Sequence, residues 1–141
     1  MAKNTLSGSC LCGAVSYQFV EDIKVFQYCH CSRCRKFTGT AHAANIIIDP
    51  EGFQWLSGVE SLGRFELPEA KHFATSFCKV CGSSLPWLTQ SGTAYIIPAG
   101  TLDEDPQTKP MHNIYYADRA GWYEDGCALT EYDALPVKDK K

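Results

Sequence analysis

Seven of the eight cysteines in this 141-residue chain fall into three tight groups. They are Cys10 and Cys12, then Cys29, Cys31 and Cys34, then Cys78 and Cys81. Grouping on this scale brings several sulfurs to one point, as a metal ion requires, whereas structural disulfides join distant segments. The sequence opens "MAKNTLSGSC", with no apolar stretch after its one lysine, so no secretory signal is read there. The longest apolar run, "AANIII", is far short of the roughly 20 residues of a membrane helix. The expected location is therefore cytoplasmic and reducing, where clustered thiols serve metals rather than disulfides.

The groups differ in kind. "SCLCG" (9–13) and "FCKVCG" (77–82) are each a cysteine pair followed directly by glycine. In a zinc knuckle the chain folds back so that both sulfurs reach one ion, and glycine at the tight position avoids a Cβ clash. Two such half-sites, Cys10 with Cys12 and Cys78 with Cys81, supply the four sulfurs of a closed tetrahedral site. Such a site clamps a long loop and contributes directly to folding.

The middle group, "YCHCSRC", is C-x-C-x-x-C. Three thiolates leave one tetrahedral position vacant, as catalytic zinc sites do. A protein ligand can also fill that position, and the candidates are His30, His42, His72, His112 and Cys127. His30 lies between two ligands and is expected to point away from the metal. Cys127 has no cysteine neighbour and reads first as a small buried hydrophobe, second as a fourth ligand. Three thiolates on a dication carry a formal charge of −1, which Arg33, Arg35 and Lys36 are placed in sequence to offset. A guanidinium there also suits a ligand carboxylate. The plainer reading of these three cations is a solvated loop face.

The remainder of the chain reads as mainly β. Glycine and proline punctuate it often, and between them lie short β-forming runs. These are 14–20, 25–29, 44–48, 63–67, 72–77 and 93–98. The run 44–48, "ANIII", predicts a fully buried strand. A short helix or turn is expected after Cys34 and another near "ADRAGWYED" (117–125), with no long amphipathic helix. The expectation is a single small sheet or sandwich in one domain spanning 1–141. Net charge is −3, so general nucleic-acid binding has no overall electrostatic support. Trp55, Trp87, Trp122, Tyr115 and Tyr116 read first as packing residues and second as a binding surface.

Four stretches in order carry a resemblance: "GSCLCGAVSYQ", "YCHCSRCRKFTGT", "FCKVCGSSL" and "HNIYYADRAGWYEDG…EYDALP". Together they resemble the glutathione-dependent formaldehyde-activating family, also called GFA or centromere-protein-V-type domains, from about Gly8 to Pro136. The resemblance implies a β-tent of small antiparallel sheets. It implies a structural zinc on Cys10, Cys12, Cys78 and Cys81, and a second, catalytic zinc on Cys29, Cys31 and Cys34. It further implies a carbon–sulfur lyase that adds glutathione to formaldehyde, giving S-hydroxymethylglutathione, with a small-molecule thiol as partner. The charge balance and the short apolar runs add the expectation of neither nucleic acid nor membrane as partner. Arg33 and Arg35 are the candidates for contact with that thiol. Two other functions compete. One is a zinc-stabilised scaffold that binds a partner and catalyses nothing. The other is thiol redox work by Cys78 and Cys81, which lack the βαβ context such chemistry uses.

Overall fold

The computed structural model describes residues 4–124 and 128–136. Its strands are β1 (Thr5–Ser9), β2 (Ser16–Val20), β3 (Val25–Cys29), β4 (Ala43–Ile48), β5 (Phe53–Ser57), β6 (Leu62–Glu66), β7 (Ala74–Cys78), β8 (Ser84–Leu85), β9 (Trp87–Leu88), β10 (Tyr95–Pro98) and β11 (His112–Ile114). One α-helix, α1 (Ser32–Thr38), lies between β3 and β4. Rather than one sheet or a sandwich, the strands form three small sheets: β1-β2-β5, β11-β3-β4-β10-β9 and β6-β7-β8. Every pairing is antiparallel except that of β11 with β3, which is parallel.

All six strands expected from sequence are present, within two residues at most ends. α1 starts at Ser32, before Cys34 rather than after it, because Cys31 is its N-cap. The stretch near 117–125 holds a 3₁₀ turn at Tyr116–Asp118. No described helix is long and apolar enough to cross a membrane.

The main core lies between the β1-β2-β5 sheet and one face of the five-stranded sheet. Tyr17 and Phe19 from β2 meet Phe26, Ile46, Ile48 and Ile97 there. Gly8 is required in β1, because a Cβ at that position would run into the Tyr17 ring. Tyr17 turns its hydroxyl to Thr101 at 2.6 Å, which satisfies the one polar atom this packing would bury.

β4 corrects the expectation of a fully buried strand. Ile46 and Ile48 are buried, but Asn45 and Ile47 are only half-buried. Successive strand residues face opposite sides of a sheet. The apolar run therefore serves two surfaces: the core on one side, and on the other a cavity bounded by Asn45, Ile47, Ile96 and Trp87.

Candidate metal centres and their cavity

The outer cysteines form one cluster. The ligand atoms of Cys10, Cys12, Cys78 and Cys81 all lie within 4.8 Å of one another. Two matched turns place them. In the first, the Gly13 N–H donates to the Cys10 carbonyl (3.1 Å) and the Cys10 N–H to the Val15 carbonyl (3.0 Å). In the second, the Gly82 N–H donates to the Cys78 carbonyl (2.8 Å) and the Cys78 N–H to the Ser83 carbonyl (3.0 Å). Both glycines sit at φ = +80°, where a side chain would be strained. Each turn also aims an N–H at sulfur: Val15 at Cys10 Sγ (3.3 Å) and Val80 at Cys78 Sγ (3.4 Å).

The sulfur spacing fits a metal. Cys10 and Cys12 are 3.6 Å apart, and Cys12 and Cys78 are 3.8 Å apart. A tetrahedron with metal–sulfur bonds of about 2.3 Å sets its sulfurs about 3.8 Å from each other, whereas a disulfide needs about 2.05 Å. The Ser83 hydroxyl, 3.2 Å from Cys81 Sγ, and backbone N–H groups draw the Cys81 thiol down to about 5.

The inner cluster is Cys29, Cys31 and Cys34, whose sulfurs also lie within 4.8 Å of one another. Cys29 ends β3. Cys31 caps α1, its sulfur accepting the Cys34 N–H at 3.4 Å, and Cys34 is buried in the first turn. Gly39 at φ = +67° closes the helix, its N–H on the Arg35 carbonyl. The Cys29 and Cys34 thiols donate to Cys31 and hold it down to about 2, while their own values rise, Cys34 furthest. A nearby cation favours the thiolate form of all three, as in a metal ligand set.

No histidine completes this cluster among the described residues. His30 is fully buried and turned away, its Nε2 on Asn113 Oδ1 at 2.8 Å and its ring among His42, Tyr116 and Tyr123. His42 stacks on Tyr28 at 4.0 Å, and burial lowers its pKa. His112 bonds Gln27, and His72 bonds Ser91. Cys127 lies outside the described residues.

The inner sulfurs form part of the wall of a cavity of about 620 Å³. Arg33 is exposed at its edge. It also borders an adjoining groove of about 580 Å³ with Lys36, Phe37, Phe65 and Phe73. Arg35 borders neither, and its buried Nε has no partner among the described residues. Of the five aromatics singled out, Trp87 and Tyr115 face the cavity. Trp55 packs on Phe53, and Tyr116 on His30, while Trp122 is exposed. Sequence reasoning did not find Gln27, Asn45, Lys71 or Asp118, which also line the cavity. Gln27 carried a usable signal: it stands two residues before Cys29 on one strand and so shares its face.

The family model for the glutathione-dependent formaldehyde-activating enzyme matches residues 5–118. No curated protein matches the chain. Among solved structures, a crystal structure of a Rhodobacter sphaeroides protein is similar in fold. It is 22% identical, has a TM-score of 0.56, and the match covers 76% of this chain and 98% of that one.

Proposed function

We propose that this chain, which belongs to the glutathione-dependent formaldehyde-activating enzyme family, is a zinc-dependent carbon–sulfur lyase acting on a thiol adduct. Glutathione is the thiol and formaldehyde the electrophile that best fit the family, and S-hydroxymethylglutathione is the product. The observation that carries this reading is the inner trio. Three clustered cysteine sulfurs line a cavity of about 620 Å³, with no fourth ligand beside them among the described residues.

Cys29, Cys31 and Cys34 would hold the catalytic zinc, and Cys10, Cys12, Cys78 and Cys81 the structural one. Zinc with an open position lowers the pKa of a bound thiol, so that it is present as thiolate at neutral pH. The cavity is large enough for a small ligand and is lined in part by the apolar side chains of Ile47, Ile96 and Trp87. Arg33 at its edge would pair with a carboxylate of the bound thiol, and Lys36 lines the adjoining groove that Arg33 also borders. Arg35, oriented elsewhere, is assigned no contact.

The reaction balances simply. The thiolate sulfur attacks the carbonyl carbon and a C–S bond forms. The C=O π pair moves to oxygen, which takes up the proton the thiol lost. The reverse cleaves the C–S bond. Holding both reactants in one pocket would supply much of the acceleration.

The test is a cobalt-substituted protein titrated with glutathione, alongside NMR exchange between glutathione, formaldehyde and adduct. Expected are a shifted cobalt spectrum and faster exchange, both lost in Cys31→Ser. An unresponsive spectrum with no faster exchange would favour the non-catalytic scaffold.

A further inference from the structure

The floor of the cavity is the five-stranded sheet, and its register places two side-chain amides side by side. Gln27 on β3 pairs directly with Asn45 on β4, and Cys29 pairs with Ala43 one step along the same face. Facing residues on paired strands have Cβ atoms about 4.5–5.5 Å apart. Gln27 and Cys29, two residues apart on one strand, are separated by about 6.7 Å. Around the amides the floor is apolar: Ile47, Ile96 and Trp87 on one side, Ile114 on the other.

Two polar side chains in such a floor call for an explanation. His112 Nε2 donates to Gln27 Oε1 at 2.9 Å, which leaves the Gln27 NH₂ as the end without a partner among the described residues. The Asn45 side chain has no hydrogen bond among them at all. Neither amide carries a charge, and both stand on strands inside the sheet rather than on loops, so their positions are fixed by the ladder. Lys71 and Arg33, the cations on the same cavity, are exposed and lie outside any strand.

We propose that Gln27 and Asn45 form an oxygen-binding subsite that receives the carbonyl or hydroxyl oxygen of the thiol adduct beside the inner cysteines. This rests on the reading of that trio as a thiol site. Attack by sulfur moves the C=O electron pair onto oxygen, and neutral amide donors aimed there stabilise that charge as it forms. They also select adducts bearing oxygen near sulfur over purely alkyl thiols. Gln27 and Asn45 are thus specificity residues for the electrophile's oxygen.

The test compares 2-mercaptoethanol with 1-propanethiol, which has a methyl group in place of the hydroxyl, as ligands of the zinc-loaded protein by calorimetry. One net hydrogen bond predicts about threefold to tenfold tighter binding of 2-mercaptoethanol. That preference should vanish in Gln27→Met and Asn45→Leu, with propanethiol binding unchanged and two zincs per chain retained. Gln27→Ala and Asn45→Ala serve where the bulkier variants fail to load zinc. Equal binding of both thiols by the wild type overturns the subsite and leaves the thiol site standing. A preference that survives in all four variants overturns the assignment to these residues. Failure of both thiols to bind overturns the thiol site itself, and the subsite with it.

Discussion

Removing one cysteine from each cluster should have unlike effects on stability, and the difference can be worked from chain separation. Cys12 and Cys78 stand 66 positions apart. An unfolded chain gathers these sulfurs only by closing that loop, at an entropic cost of about 4 kcal/mol. The folded chain has them gathered already, by β1 and β2 on one side and β7 and β8 on the other. A metal on the outer site therefore favours the fold by at least about 4 kcal/mol over any coordination the unfolded chain retains. The inner cysteines span only 29 to 34, a loop whose closure costs about 2 kcal/mol. β3 pairing and the α1 cap hold that short stretch without a metal. Cys78→Ser should thus lower stability by about 4 kcal/mol, a large part of the usual total for a domain. Cys31→Ser should lower it by about 2 kcal/mol or less. Guanidinium denaturation of zinc-loaded wild type and both variants, with zinc per chain measured in each, checks this. Equal destabilisation by the two variants would refute the division into a structural and an open site.

Zinc affinity of the inner site should rise with pH by about a hundredfold per unit between pH 6 and 8. Cys31 is already ionised there, while the raised Cys29 and Cys34 thiols must each give up a proton; competition with a chelating dye reads the slope, and a one-proton slope would contradict the assignment. Burial pushes the Tyr17 hydroxyl well above its usual value near 10. Its contribution is intact below pH 10 and declines above it by about 1.4 kcal/mol per unit, as the unfolded chain ionises first. Tyr17→Phe should cost about 1 kcal/mol at neutral pH through the lost Thr101 bond and flatten that alkaline decline in urea titrations. Gly58→Ala should destabilise by more than the roughly 1–2 kcal/mol of its left-handed conformation, because at φ = +82° its Cβ would meet the Ala14 carbonyl. Gly100→Ala, with open space around it, should be near neutral in the same melting assay. Arg33→Ala should weaken glutathione binding by about fivefold, the scale of an exposed ion pair, and leave 2-mercaptoethanol binding unaltered.

What the sequence disclosed follows from where each signal resides. Cysteine identity and spacing are local, so both sulfur clusters were legible, and the glycines at φ = +80° mark the turns that aim them. The six strands rich in Val, Ile, Phe and Tyr were legible for the same reason. β1 was not, because "TLSGS" has little strand propensity; its register with β2 and the packing of Tyr17 against Gly8 make it a strand. β8 and β9 are two residues each around Pro86, and β11 is a three-residue parallel partner for β3, defined only by contacts far away in sequence.

The cavity belongs to that second kind of information. Gln27 and Asn45 are unremarked polar residues in apolar runs until β3 and β4 pair in register. Only then do they stand together on the face that carries Cys29, with Phe73 and Tyr115 bordering the same space. The metal ligands could be named from spacing because the metal imposes the spacing. The groups that would choose a substrate are set by pairing between strands, so they emerge only with the fold. The same division accounts for Arg33 and Arg35: sequence treats the two as equals beside the trio, but the helical turn from Ser32 to Thr38 sets one at the cavity edge and directs the other away from it.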